Sequence, residues 1–442
     1  MTKKHIIIIG GGICGLATAI SLSQKFAQTS PAVDLDLSIT VYELRDAPSA
    51  LGGPVNLTPK ALRCLDKLGV LAKLCERKAG CPVDAIQLFS MRTGAEIATI
   101  DYNGPDGTGF GGYKGWRVMR CDLLNAMVDV AAGSRGVDIR FGKRLTGIRE
   151  EEEEEEEQET GEGRGEKRKV RVDFADGTSA VGDVVLGCDG IHSAARSLLV
   201  EPDRQPYYSG IANAYGFVNR GDVLREGERR FFNDSAVIMS RYGSTLITFC
   251  DHDRSLIYVV LLMQMAEAKS REGWKSAAQD QEAIRSEGLR RTRNSAIPKL
   301  GDMMDQVDEW TLYPVYLLPP NGVWHMDRVL LLGDAAHAMP PKGESIGHAL
   351  EDAIKISSIV SHYGLESIDE AFVLYERLQR KKIEDAFQVS STSWMSNHDI
   401  GAIGARIMEW LTPLHLWWTR GSMERDFLND PDDITFSATR TS

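Results

Sequence analysis

A strand that runs straight into a glycine-rich turn leaves few folds open, and this chain has one within its first fifteen residues. Ile6-Ile7-Ile8-Ile9 is a continuous β-branched run, as expected of a strand buried on both faces of a parallel sheet. It passes directly into Gly10-Gly11-Gly12-Ile13-Cys14-Gly15, which fits G-x-G-x-x-G. Leu16, Ala17, Ile20, Leu22 and Phe26 then follow at mostly helical spacing. Each glycine answers a physical demand: Gly10 a tight turn, Gly12 the close approach of a pyrophosphate to bare backbone, Gly15 the packing of helix on strand. The helix start would face phosphates with unpaired N–H groups and the positive end of its dipole. A second strand, at 38–42, ends at Glu43, an acid placed to accept hydrogen bonds from a ribose hydroxyl. The interval from Gly15 to Glu43 exceeds the usual ~20 residues, and a loop insertion at 28–36 accounts for it. Alone the glycine pattern is weak; with strand, helix and acid around it, it predicts a dinucleotide-binding unit.

Gly107 to Gly112 repeats the spacing but follows the turn Asn103-Gly104-Pro105-Asp106, and no clear helix starts after it. It reads as a flexible loop, so no second dinucleotide domain is expected. Two later blocks match the first in kind. The apolar run 183–186 leads to Gly187-Cys188-Asp189-Gly190-Ile191-His192-Ser193 and Arg196, and 328–332 leads to Gly333-Asp334-Ala335-Ala336-His337 and Pro340. In each, a buried strand delivers an Asp-containing turn to the end of a sheet, where α/β folds bind ligands. A carboxylate such as Asp334 suits a ribityl or ribose hydroxyl, and the glycines let backbone approach a cofactor.

Composition sets limits. At 442 residues the chain should form two lobes. Much of its net charge of −12 is local: Glu150 to Glu157 is unbroken glutamate, followed by Glu159, Glu162 and Glu166. Such a run repels itself, so 150–168 is expected to be a disordered acidic loop. Nothing is basic enough to suggest nucleic acid as a partner. The seven cysteines are scattered without a C-x-x-C pair, which argues against a disulfide framework or a metal site and for a reducing, cytoplasmic setting. The run before Gly10 is too short for a secretory signal. Arg406, Glu409, His415 and Pro413 interrupt the apolar stretch 400–418, so no transmembrane segment is expected there. A packed terminal helix is the first reading of that stretch, and peripheral membrane contact through Trp410, Trp417 and Trp418 the alternative.

With these blocks in order, the chain resembles the class A flavoprotein monooxygenases, the group containing p-hydroxybenzoate and salicylate hydroxylases. Their three fingerprints correspond to Gly10–Gly15 with Glu43, to the Asp189-Gly190 block, and to Gly333–Pro340. Gly52-Gly53-Pro54-Val55-Asn56-Leu57-Thr58-Pro59 resembles the family segment beside the flavin ring, and Arg120 its FAD-contacting arginine. One departure stands out: where the family has Gly-Gln-Gly-x-Asn before Glu-Asp-Ala, this chain reads Gly343-Glu344-Ser345-Ile346-Gly347. In the family, backbone N–H groups at this helix start face the flavin pyrimidine, a role a side-chain change leaves intact. The resemblance implies FAD, with NADH or NADPH as co-substrate. It also implies O2 and a small aromatic or heteroaromatic substrate, hydroxylated through a flavin C4a-hydroperoxide. Epoxidation, Baeyer–Villiger oxidation and dehydrogenation or oxidation on the same scaffold are the alternatives.

The fold expected is α/β: a doubly wound, Rossmann-like FAD-binding domain, an inserted β-sheet substrate lobe and a C-terminal helical segment. The FAD domain is expected to be discontinuous, from 1–78, 110–206 and 296–370, with the substrate lobe from 79–109 and 207–295 and the tail from 371. Strands at 212–218, 236–240, 245–250 and 255–263 would build the substrate sheet. Tyr215 is the candidate substrate-facing hydroxyl, against a core or edge aromatic. Arg196 is the candidate contact to nicotinamide or substrate; Arg241 could pair an acidic substrate, with a solvated strand-end arginine the simpler reading. His337 and His348 are assigned to the flavin turn and the following helix. Gly343 to Gly347 also spells G-x-S-x-G, the serine-hydrolase elbow, which needs a strand directly before the serine. His337 to Lys342 intervene, so that reading stays remote.

Overall fold

Ile6, Ile7 and Ile8 are fully buried, and a run apolar on both faces must be covered on both. The computed structural model, which describes residues 4–29, 37–49, 52–153, 167–224, 230–341 and 343–436, supplies that cover. Strand β1 (Lys4–Ile9) lies between parallel β2 (Leu37–Tyr42) and parallel β12 (Val184–Gly187). Beyond β2 comes β8 (Val137–Arg140); beyond β12 come β19 (Val329–Leu331) and the short antiparallel β18 (His325–Met326). From β1 the order runs outward through β2 to β8, then restarts on the other side at β12. The loops after β1 and β12 therefore part company at a topological switch point, which opens a crevice at the carboxyl ends of the strands.

Helix α1 (Ile13–Thr29) packs along α10 (Ser345–Tyr363) and α4 (Arg120–Ala132). Helices α2 (Pro59–Lys67) and α3 (Val70–Glu76) extend that layer. The other side of the core takes α11 (Ile368–Trp394) and an antiparallel sheet of β9 (Leu145–Glu153), β10 (Lys167–Phe174) and β11 (Ser179–Gly182).

The second lobe is a seven-stranded sheet in the order β17 (Thr311–Leu317), β13 (Tyr207–Asn219), β16 (Leu256–Gln264), β15 (Gly243–Phe249), β14 (Ser235–Ser240), β5 (Ala85–Ser90), β6 (Glu96–Asp101). Alternation along the strands splits it into two faces. Ala212, Ala214, Val259, Leu261, Ile247 and Phe249 join a core with α6 (Arg271–Gln279), α7 (Gln281–Thr292) and α8 (Leu300–Asp305), while α5 (Arg220–Val223) caps β13. Tyr215, Phe217, Tyr258 and Val260 line the opposite face. A small sheet of β3 (Pro54–Leu57), β7 (Gly115–Met119) and β4 (Cys81–Val83) connects the lobes.

Several expectations need correcting. The insertion expected from residue 28 begins later, since Gln28 and Thr29 are still helical; 30–36 lies outside the described residues. The acidic loop expected at 150–168 is shortened at both ends by β9 and β10, and 154–166 lies outside the described residues. The register explains the difference: 151–153 pair with 167–169 in the ladder, and at its described end Glu151 stands opposite Lys169, a pair of opposite charge. β17 falls in the span 296–370 assigned to the FAD domain, yet it pairs with β13, where Leu312, Val315 and Leu317 are buried. β4, from the span 79–109 assigned to the substrate lobe, pairs with β7 instead.

The terminal helix α12 (Gly401–Leu428) is packed on one side only. Glu409 bonds Ser90 and Arg92, and Phe427 packs on Tyr102 and Phe110. Ile403, Trp410, Trp417 and Trp418 are exposed, Trp418 by 81%. No described helix is long and apolar enough to cross a membrane.

Candidate active site

The three glycines after β1 meet their demands in three different ways. Gly10 has φ +107°, and a Cβ there would lie 2.4 Å from the Cys188 carbonyl oxygen on the neighbouring β12 loop. A Cβ on Gly15 would lie 1.9 Å from the Gly10 oxygen. At Gly12 it would meet nothing within 4 Å, so the space above that residue is open. The helical ladder of α1 starts with Leu16 N–H donating to Gly12 C=O, which leaves the preceding N–H groups free to face an anion. Glu43 reaches back across the turn: its carboxylate accepts from Gly11 N–H at 2.7 Å and from Arg45 N–H at 3.0 Å.

Across the crevice, Asp189 Oδ2 accepts from the Ala194 and Ala195 N–H groups at 2.6 and 3.1 Å. Its Oδ1 is buried without a partner, and burial pushes its pKa up. Gly333, with φ +58°, turns the chain into α9 (Asp334–His337). Asp334 is crowded by protein yet its side chain stays accessible, the position of a carboxylate on a cleft floor. Burial raises its pKa, while His337 and Arg120 draw it down. A Cβ on Gly52 would meet Arg120 Cδ at 3.0 Å, so a glycine there gives the Arg120 side chain room.

Asp352 pegs this turn from behind. It accepts from Gly333 N–H at 3.1 Å and Gln379 Nε2 at 2.7 Å, and pairs with His337 Nε2 at 2.7 Å. Burial pulls the His337 pKa down, and the Asp352 carboxylate outweighs that and raises it. His337 is thus held inside the turn, as expected. Gly343 (φ +83°) and Gly347 flank the start of α10, where Ser345, Ile346 and Gly347 present first-turn N–H groups. Gly347 is buried against Lys60 and Thr58 of the α2 region. Ser345 opens this helix well after β19 ends, and among the described residues its hydroxyl has no His or Asp partner, so the hydrolase elbow is not formed.

Tyr215 is 7% exposed on the sheet face turned toward these loops, with ring centroids of Tyr258, Tyr313 and Phe217 at 5.4, 6.0 and 6.2 Å. Sequence reasoning missed Tyr258, Tyr313, Asn213 and Arg117. The signal for Tyr258 was present: Gly53 needs to be glycine because a Cβ would lie 2.4 Å from the Tyr258 hydroxyl. Arg196 is a correction. It is 1% exposed, and Nε, Nη1 and Nη2 donate to the carbonyls of Arg204, Ala335 and Ile191. Three of its five N–H groups staple the Asp189 block to the Asp334 block, and its burial keeps it from serving as an open contact for nicotinamide or substrate. Arg241 is exposed and stacks on Tyr242. A concavity of about 480 Å³ between α7 and α8 lies on the far face of the sheet, away from every motif.

Comparison with known proteins agrees with this geometry. Residues 3–362 match the FAD binding domain family. The 6-hydroxynicotinate 3-monooxygenase of Bordetella bronchiseptica is 24% identical, over 90% of this chain and 93% of its own. The salicylate hydroxylase of Pseudomonas putida is 27% identical over 88% and 84%. Among solved structures, Klebsiella pneumoniae HpxO complexed with FAD and uric acid superposes with a TM-score of 0.74 at 21% identity, covering 96% of this chain and 97% of that one. A salicylate hydroxylase substrate complex gives 0.71 at 18% identity, covering 97% and 98%. Glycine turns and carboxylates gathered at the switch point, a family match over most of the chain and monooxygenases as relatives meet in one conclusion: the chain belongs to the FAD binding domain family and is an FAD-dependent monooxygenase of the aromatic-hydroxylase class.

Proposed function

We propose that this enzyme uses NADH or NADPH and O2 to hydroxylate an aromatic or heteroaromatic small molecule. The observation that carries the reading is the aromatic sheet face of Tyr215, Phe217, Tyr258 and Tyr313, set against the Gly52-Gly53 segment. Rings recognise rings by stacked and edge contacts, so such a face suits a flat, electron-rich substrate. FAD, when held there, would supply the redox chemistry between the nicotinamide and O2. The residues fit that cofactor. Gly12 leaves space for the pyrophosphate, Glu43 and Asp189 offer acceptors to hydroxyls, and Asp334 with Arg120 would hold the ribityl and phosphate region. Gly53, Gly343 and Gly347 would let backbone N–H groups approach the ring edge. The chain's own work is to orient the substrate and exclude water. Tyr215 would hydrogen-bond the substrate, since its hydroxyl has no hydrogen-bond partner among the described residues.

Anaerobic stopped-flow reduction of the flavin by NADH and NADPH, with and without a panel of phenolic and heteroaromatic compounds, tests the reading. Acceleration by one compound, followed by a hydroxylated product on admitting O2, is the expected outcome. Failure of both nucleotides to reduce the flavin under any condition overturns it in favour of an oxidase or dehydrogenase.

A further inference from the structure

Helix α12 has an inner face that the fold accounts for and an outer face that it does not. On the inner side Ser90 and Arg92 donate to Glu409, Lys60 and Lys382 meet Asp426, and Phe427 packs on Tyr102 and Phe110. These contacts fall at either end of the stretch 410–425 and fix which way it turns. Ile403, Ile407, Trp410, Leu414 and Trp417 face out, at successive spacings of four, three, four and three, with Trp418 beside them. Such spacing keeps them on one stripe of the helix. Trp410, Trp417 and Trp418 are 69%, 73% and 81% exposed. Three such indoles leave on the order of 450 Å² in water. The largest apolar patch of a typical monomer is about 300–600 Å² in all, and here the aliphatic residues add to the rings.

The rim of the stripe says what would cover it. Each acid of α12 already meets a cation: Glu409 has Arg92, Glu424 has Arg420, and Asp426 has Lys60 and Lys382. Arg406, one turn before Trp410, and Arg425, two turns after Trp418, are exposed on the same side of the helix. Neither has an acidic partner among the described residues. A second copy of the chain, docked here about a two-fold axis, would bring the same unpaired arginines with it. An anionic lipid leaflet brings the opposite charge, and tryptophan rings suit the boundary between headgroups and acyl chains. No described helix is long and apolar enough to cross a bilayer, so α12 would lie along one.

We propose that the outer face of α12 seats this enzyme on an anionic membrane surface, its three indoles at headgroup level and Arg406 and Arg425 against lipid phosphates. The inference is independent of the hydroxylase reading, because it concerns a face that the flavin crevice does not use.

Flotation of the FAD-loaded enzyme with vesicles tests it, using phosphatidylcholine alone and phosphatidylcholine mixed with phosphatidylserine. The native enzyme should float with the mixed vesicles and far less with the neutral ones. Arg406→Gln together with Arg425→Gln should weaken binding to the mixed vesicles by roughly fivefold per arginine. Trp410→Ser, Trp417→Ser and Trp418→Ser together should abolish flotation while FAD content and the denaturant midpoint stay at native values. A native enzyme that stays off the mixed vesicles overturns the proposal, as does flotation that survives the three serines. Equal binding to both kinds of vesicle, unchanged by the arginine substitutions, does the same. Sedimentation that shows a dimer dissociated by the serines would assign the stripe to a second copy, against the proposal. Earlier unfolding or loss of FAD in the serine variant would assign it to the fold itself, also against the proposal. Flotation needs no turnover, so its failure leaves the hydroxylase standing.

Discussion

Gly12 and Gly15, three positions apart, separate cofactor binding from folding. A side chain at Gly15 collides with the Gly10 backbone, whereas one at Gly12 enters open space. Gly12→Ala should therefore change the unfolding free energy of the apoprotein by only about 0.5 kcal/mol, the usual range for a substitution that meets no neighbour. Its flavin-to-protein ratio should nevertheless fall well below that of the native enzyme. Equal FAD retention would mean the pyrophosphate does not pass over Gly12. His348 gives a pH prediction. It is buried with both ring nitrogens unpartnered, and burial, helped by Lys60, lowers its pKa to about 3. The unfolded chain takes up that proton near pH 6.5. The residue therefore costs nothing above pH 6.5 and destabilises the fold as pH falls from there toward 3, by at most about 1.4 kcal/mol per pH unit. Urea unfolding at pH 7, 6 and 5 should show a shallower decline in His348→Leu than in the native chain. Tyr215→Phe should fold normally and lower coupled product formation per NAD(P)H consumed; unchanged coupling would return Tyr215 to a packing role.

At the scale of elements, two carboxylates and their shared lysines tie four helices. Glu351 on α10 is fully buried and meets Lys60 of α2 at 3.2 Å, Lys382 of α11 at 2.7 Å and Lys355 of its own helix at 2.8 Å; Asp426 of α12 closes the cluster on Lys60 and Lys382. Burial raises the Glu351 pKa, but the lysines more than reverse that and hold it well below the usual carboxylate range. Glu351→Gln should cost about 3–5 kcal/mol in denaturant unfolding, as expected when one partner leaves a buried network. A loss within experimental error would show the lysines find water or Asp426 sufficient. Such ties also mark where sequence reading stops. Gly10, Gly12 and Gly15 are legible because their meaning is local: a strand before, a helix after. Arg196 is not, because its partner carbonyl on Ala335 lies 139 residues away. Glu151 looked like free solvated charge because the basic strand that pairs with it comes only after the run ends. Tyr258 and Arg117 depend on register, which no window of sequence displays.

For the whole molecule, the FAD site draws on turns between Gly10 and Gly347, so the cofactor should stabilise the chain as a unit. At a free FAD concentration of 100 Kd the gain should be about 2.7 kcal/mol. Calorimetry should show one transition moving upward; a second transition indifferent to FAD would mean the seven-stranded lobe melts independently. The strand order has a further consequence, for biosynthesis. β1 is made well before its neighbour β12, which begins at Val184, and before β19, which completes that side of the sheet and ends at Leu331. At roughly 5–20 residues per second, the most hydrophobic strand waits on the order of tens of seconds for its partners. During that interval only β2 can pair with β1, so one edge of Ile6 to Ile9 stays open, and the yield of active enzyme should depend on chaperone supply and translation speed more than its final stability suggests.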